Sequence, residues 1–128
     1  MAVAVLDASA VTALLLSEPG HELVVPLLGQ AAISAVNVQE VFKVLGKRGL
    51  SAKQARSAVT VLELEIVSHD IDEAVRAANL VSHTEKYGSG IGDRSCMALA
   101  MHLGLAAYTA DKAWSKVNLP GLKIVVIR

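Results

Sequence analysis

Short apolar runs alternate along the chain with longer amphipathic stretches. That rhythm constrains the fold more than any other feature. A run of about four small or β-branched residues reads as a strand covered on both faces. When helices separate such runs, the strands lie parallel and the helices cross over on both sides of the sheet. The expected architecture is a three-layer α/β/α sandwich with a mainly parallel, five-stranded sheet.

The expected strands are Val3 to Leu6, Ala31 to Ser34, Glu65 to Ser68, Leu105 to Thr109 and Lys123 to Ile127. The first helix runs from Ser9 to Leu16 and stops at Pro19-Gly20, and a short one follows over His21 to Leu28. Asn37 to Lys47 places Val38, Val41, Phe42 and Leu45 on one stripe. Capping boxes at Ser51–Gln54 and Asp70–Glu73 open helices to Leu62 and to His83. The second carries a stripe of Ala74, Ala77, Ala78 and Val81. Thr84 to Gly92 is polar, holds three glycines and reads as a loop, with Gly88 to Gly92 a flexible lead-in to Asp93. Asp93 to Leu103 is a helix closed by Gly104, and Lys112 to Lys116 a helical turn.

Composition narrows the class. The 128 residues are 53% hydrophobic, enough for one core in a single domain over 1–128. Lys+Arg and Asp+Glu both number 12, which argues against a grip on nucleic acid through bulk positive charge. Aromatics at 3% argue against base stacking as a main mode of binding. Cys96 is the single cysteine, so an internal disulfide and a cysteine zinc site are both excluded. A cytoplasmic, reducing setting is expected. No basic residue precedes the first apolar run and Asp7 ends it, unlike a secretory leader. No stretch nears the ~20 apolar residues of a membrane helix.

In a parallel sheet, ligands sit beyond the carboxyl ends of the strands. Asp7 directly follows strand one, Asp111 comes two residues after strand four, and Glu40 begins the helix after strand two. The helix that opens with Asp93 feeds strand four, so it must start at that same edge. Each acid also has a plainer role: Asp7 as a turn residue, Asp93 and Asp111 as helix caps, Glu40 as the far half of an Asn37–Glu40 cap. Caps stabilise by ~1 kcal/mol each. Two carboxylates ~5 Å apart repel by ~3 kcal/mol at an effective dielectric of ~20. Four acids from four segments therefore call for protonation or a divalent cation. Oxygen-only ligands suit Mg²⁺ or Mn²⁺, and such centres serve phosphate chemistry. No glycine-rich nucleotide loop is present.

Val5-Leu6-Asp7-Ala8-Ser9-Ala10, Asn37-Val38-Gln39-Glu40-Val41, Gly92-Asp93-Arg94-Ser95-Cys96-Met97-Ala98-Leu99-Ala100 and Tyr108-Thr109-Ala110-Asp111-Lys112-Ala113-Trp114 resemble, in order and over nearly the whole chain, the PIN-domain ribonucleases. More narrowly they resemble the VapC toxins of toxin–antitoxin pairs. The resemblance implies a Mg²⁺- or Mn²⁺-dependent endoribonuclease held inactive by a VapB-type antitoxin. It implies strand order 3-2-1-4-5 and a homodimer. It places the family's acids on Asp7, Glu40, Asp93 and Asp111, which would hold the metal and carry hydrolysis. Ser9 and Thr109 would be hydroxyls that orient carboxylates or water.

Other residues carry two readings each. Arg94 and Lys112 could reach an RNA phosphate or pair with an acid. Lys43, Lys47, Arg48, Lys53 and Arg56 could follow an RNA backbone or form a solvated face. Trp114 could anchor a partner or pack on the sheet. The apolar first two helices, with Leu14 to Leu16 and Leu23 to Leu28, could bury into the core or form a groove for an antitoxin segment. Cys96 reads as a small buried residue, and the four histidines show no metal-binding spacing. A dehalogenase-type phosphatase wants Asp-x-Asp after strand one, where this chain has Asp7-Ala8-Ser9. A receiver domain wants an aspartate ending strand three, which is missing. The remaining alternative is a non-catalytic PIN-like module that binds RNA or a partner.

Overall fold

β1 (Ala4–Leu6) and β2 (Ala31–Ser34) are buried along their whole length. Their side chains alternate between two cores, as the period of two demands. Leu6, Ala31 and Ile33 enter one core, and Val5 and Ala32 the other. β3 (Glu65–Val67), β4 (Ala107–Thr109) and β5 (Ile124–Val126) complete the sheet. Every pairing is parallel, and the strand order is β3-β2-β1-β4-β5. The structure is a computed structural model and describes residues 1–87 and 89–128.

α1 (Ala8–Leu16), α2 (His21–Val24), α3 (Ala35–Lys47) and α4 (Ala52–Thr60) supply the first core, through Val11, Val24, Val41, Leu45 and Val59 among others. α5 (Ile71–Ala78) and α7 (Ile91–Leu103) supply the second, through Ala77, Cys96, Met97 and Leu99, with α6 (Val81–Thr84) between them in sequence. The sandwich thus has helices on both faces of one sheet. No helix among the described residues is long and apolar enough to cross a membrane.

Several local expectations are corrected. α3 starts at Ala35 and is capped by Ser34, whose hydroxyl accepts from the Val36 N–H. Asn37 is therefore inside the helix rather than its cap, and Glu40 stands in the second turn. Val38, Val41 and Leu45 are buried as expected, but Phe42 lies on the exposed side. The helix expected over Ile71 to His83 breaks after Ala78. Asn79, a poor helix former, ends α5, and Leu80 drops into the second core before α6 begins. Asp70 caps α5, yet Glu73 pairs with Arg76 at 2.7 Å instead of closing a box. Ala78 is exposed and Glu73 takes the buried place. Pro26 lacks the N–H an α-helix needs, and the stretch after Val24 tightens into a 3₁₀ turn over Val25–Leu27. The expected loop from Thr84 to Gly92 holds a 3₁₀ turn at Glu85–Tyr87, and α7 begins at Ile91; Gly88 lies outside the described residues. Trp114 is 1% exposed, so it packs on the second core and is not free to anchor a partner.

The strand order has one consequence for function. The chain builds outward from β1 to β2 and β3, then returns to place β4 and β5 on the other side. β1 and β4 therefore flank the topological switch point, where the loops after two adjacent strands part and open a crevice.

Candidate active site

Asp7 stands at that switch point. It follows β1 and caps α1, its Oδ1 accepting from the Ala10 N–H at 2.9 Å. The same oxygen accepts from the Ser9 hydroxyl at 2.7 Å, and Oδ2 accepts from the Thr109 hydroxyl at the end of β4 at 2.5 Å. Both hydroxyls are themselves held from the far side. The Ala110 N–H donates to Ser9 Oγ at 2.8 Å and the Asp111 N–H to Thr109 Oγ1 at 3.0 Å. A hydroxyl oxygen that accepts a backbone N–H on one side has its own hydrogen free to aim at Asp7. Where the plainer reading made Asp7 a turn residue, the structure makes it the cap of α1 and the centre of a wider network.

Asp7 is only 5% exposed. Burial pushes its carboxyl up to about 6, against the pull of the Thr109, Ser9 and Ala10 hydrogen bonds, and the Asp93 charge adds to the rise. Desolvation thus outweighs three favourable donors.

The other acids are tied locally. Glu40 Oε1 accepts from Asn37 Nδ2 at 2.7 Å. Asp93 is the third residue of α7, and its Oδ2 reaches back to accept from the Gly90 N–H at 3.0 Å. Asp111 caps the 3₁₀ turn Lys112–Lys116, its Oδ1 accepting from the Ala113 N–H at 2.9 Å. Asp7, Glu40, Asp93 and Asp111 line one cleft of about 380 Å³ together with Ser9, Thr12, Lys43 and Lys47. Among the described residues, none of the four acids has a cationic partner within ion-pair distance. The fully buried Cys96 thiol registers their shared field. Burial pushes its pKa well up, and Asp7, Asp93 and Glu40 push it further.

The donor chemistry of this cleft, carboxylate and hydroxyl oxygens without thiol or imidazole, fits a hard divalent cation. Each acid is held by its own local hydrogen bonds, and among the described residues no three of His, Cys, Asp and Glu form a ready metal cage.

Arg94 and Lys112 do not join the cleft. Arg94 Nη1 donates to the Ser89 carbonyl at 2.7 Å, and its side chain lines a separate hollow against α5. Lys112 is exposed. Lys43 and Lys47 do line it, and the signal was available in the sequence: they follow Glu40 by three and seven residues, one helix face. Asn37 and Gly92 left no comparable signal as site residues. Of the apolar surface, Leu23, Val25 and Leu28 are exposed near α2. A groove also runs between α3, α4 and β3, lined by Val38, Phe42, Val59, Leu64 and Ile66 with Arg56.

The model of the PIN domain family matches residues 4–119. No curated protein sequence matches the chain. Among solved structures, a DNA-bound VapBC from Salmonella typhimurium is similar at a TM-score of 0.74 and 19% identity, over 98% of each chain. A VapBC2 from Rickettsia felis, bound to a fragment of promoter DNA, gives 0.71 and 18%, over 94% of this chain and 96% of that one. A toxin–antitoxin complex from Klebsiella pneumoniae gives 0.68 and 21%, over 93% and 94%. At these identities the likeness is one of fold. The family model spans every strand but β5 and all four acids of the cleft, and on it the chain belongs to the PIN-domain family.

Proposed function

We propose that this PIN domain is a metal-dependent endoribonuclease, the VapC-type toxin of a toxin–antitoxin pair. The observation that carries the reading is the cleft at the switch point. It gathers acids from four chain segments around a buried Asp7, and among the described residues none of the four is held in an ion pair. The toxin–antitoxin complexes of like fold support the toxin role. In this reading Asp7, Glu40 and Asp93 hold a Mg²⁺ or Mn²⁺ ion, and Asp111 completes the set. When bound, the ion polarises a phosphoryl oxygen and lowers the pKa of water.

The chain's own contributions follow from its contacts. Ser9 and Thr109 fix the Asp7 carboxylate so that it does not rotate away from the cleft. Lys43 and Lys47, on the cleft wall, bind RNA phosphates flanking the scissile one. The proposed partners are an RNA substrate, a VapB-type antitoxin and a second copy of the chain in a homodimer.

The test is cleavage of RNA by the purified protein with Mg²⁺ or Mn²⁺ and with EDTA. Cleavage that requires the ion supports the reading. Binding without cleavage under all conditions points to a PIN-like binding module instead. A second expectation concerns the lysines. Lys43→Gln and Lys47→Gln each raise KM for RNA by up to ~10-fold, about one lost charge-assisted phosphate contact, with kcat nearly unchanged. Each also lowers the slope of log affinity against log salt by ~0.7, the value for one phosphate contact on a single strand. An unchanged salt slope would remove both lysines from the RNA path.

A further inference from the structure

Asn37 is buried in the interior of α3 at 1% exposure, a place where a polar side chain is costly unless satisfied. Its Nδ2 donates twice, to Glu40 Oε1 at 2.7 Å and to the Gly92 carbonyl at 3.0 Å. Among the described residues its Oδ1 has no hydrogen-bond partner. The orientation of the amide is nonetheless fixed, because the reverse would set a carbonyl oxygen against a carboxylate oxygen and a carbonyl oxygen. An apolar residue of the same shape would leave no such orphan, so packing alone does not explain an asparagine here. What the amide achieves is geometric. It ties the Glu40 carboxylate to the first turn of α7, one residue before Asp93.

Gly92 is the other half of the arrangement. A Cβ at this position would overlap the Glu40 carboxylate. The carboxylate therefore lies against the bare Cα of α7, and the Asn37 amide holds it there from α3. This bonded group joins the two helices that carry Glu40 and Asp93.

We infer that Asn37 is a positioning residue that fixes the Glu40 carboxylate against α7 and so sets its distance from Asp93 for holding a divalent cation. The inference rests on the metal-dependent reading of the cleft. Asn37 touches neither the substrate nor the ion and acts only through Glu40. Groups that orient a ligand typically change metal affinity or activity by ~10–100-fold when lost.

The experiment is Mn²⁺ binding to the full chain, followed by the electron spin resonance of the free ion, with RNA cleavage alongside. The variants are Asn37→Ala, the volume-conserving Asn37→Leu, Glu40→Gln and the pair Asn37→Leu with Glu40→Gln. Thermal unfolding in EDTA identifies any variant that fails to fold, and the remaining one carries the test. Asn37→Leu should weaken Mn²⁺ binding by ~10-fold and lower kcat with little change in KM for RNA. In the Glu40→Gln background it should have no further effect on Mn²⁺ binding. Wild-type Mn²⁺ affinity in both Asn37 variants overturns the positioning role while leaving the nuclease reading in place. An equal additional loss in the Glu40→Gln background overturns it too, since the effect would not pass through Glu40. A wild-type chain that binds no Mn²⁺ overturns the metal-dependent reading, and the role of Asn37 falls with it.

Discussion

Asp7→Asn is expected to abolish RNA cleavage and, in the absence of divalent cations, to make the protein more stable. The activity loss should reach ~10³-fold, about 4 kcal/mol of transition-state stabilisation, because the change removes the most deeply buried acid of the cleft. The gain in stability follows from the same burial. The Asp7 carboxyl titrates at about 6 in the fold against 3.8 as a free side chain. A group whose folded pKa is raised favours the fold below its unfolded value, and that contribution is lost as pH rises through the folded value. Stability of the metal-free protein should therefore fall between about pH 4 and pH 7, by up to ~3 kcal/mol from this group alone. Asparagine never ionises. It keeps an oxygen for the Ala10 N–H and the Ser9 hydroxyl, and its amide can donate to Thr109 Oγ1 once that hydroxyl turns to Ser9, 3.3 Å away. Thermal unfolding in EDTA across pH 5 to 8 measures the difference. The variant should melt several degrees higher at pH 7.5 and show a flatter profile. Added Mn²⁺ should stabilise the wild type and leave the variant almost unmoved. A variant that melts lower in EDTA would mean that three hydrogen bonds to an ionised carboxylate outweigh its desolvation, contrary to the direction of the Asp7 shift.

The contrast between Asp7 and Asn37 shows what sequence alone could reveal. Asp7 was legible because an apolar run that stops at an acid marks a strand end, and the parallel sheet dictates which edge that end occupies. The same topology placed Asp93 by inference, since the helix feeding β4 can only begin at the carboxyl edge. Asn37 was misread because two cap patterns overlap there. Ser34 and Asn37 are both good caps, each about one turn ahead of a polar residue, and the local sequence does not choose between them. The choice was made by β2, which runs to Ser34 and hands the chain to the helix at once. The partner that makes Asn37 matter, the Gly92 carbonyl, lies 55 residues away in sequence, and no periodicity encodes it. The placement of Arg94 is illegible for a related reason. Adjacency to Asp93 leaves its direction open, since neighbours on a helix point ~100° apart, and Arg94 turns to the α5 side.

Gly92→Ala separates the geometry of the cleft from the stability of the fold. In an exposed helix interior, glycine to alanine stabilises by ~1 kcal/mol, because alanine loses less backbone freedom on folding. At Gly92 the new methyl would occupy the space of the Glu40 carboxylate. That carboxylate is the far end of a flexible side chain, so the overlap is relieved by rotating Glu40 rather than by moving backbone. The rotation breaks the bond to Asn37 Nδ2 and withdraws Glu40 from its place beside α7. Cleavage should therefore fall by ~10–100-fold, and Mn²⁺ affinity with it, while the melting temperature in EDTA stays within a few degrees of wild type. Few single methyl groups are expected to disarm a site without unfolding it, and this one acts because two acids from different helices depend on a contact only glycine permits. Wild-type cleavage by Gly92→Ala would show that Glu40 holds its role without the close approach to α7. A large drop in melting temperature would show that the overlap is relieved by shifting α7 itself.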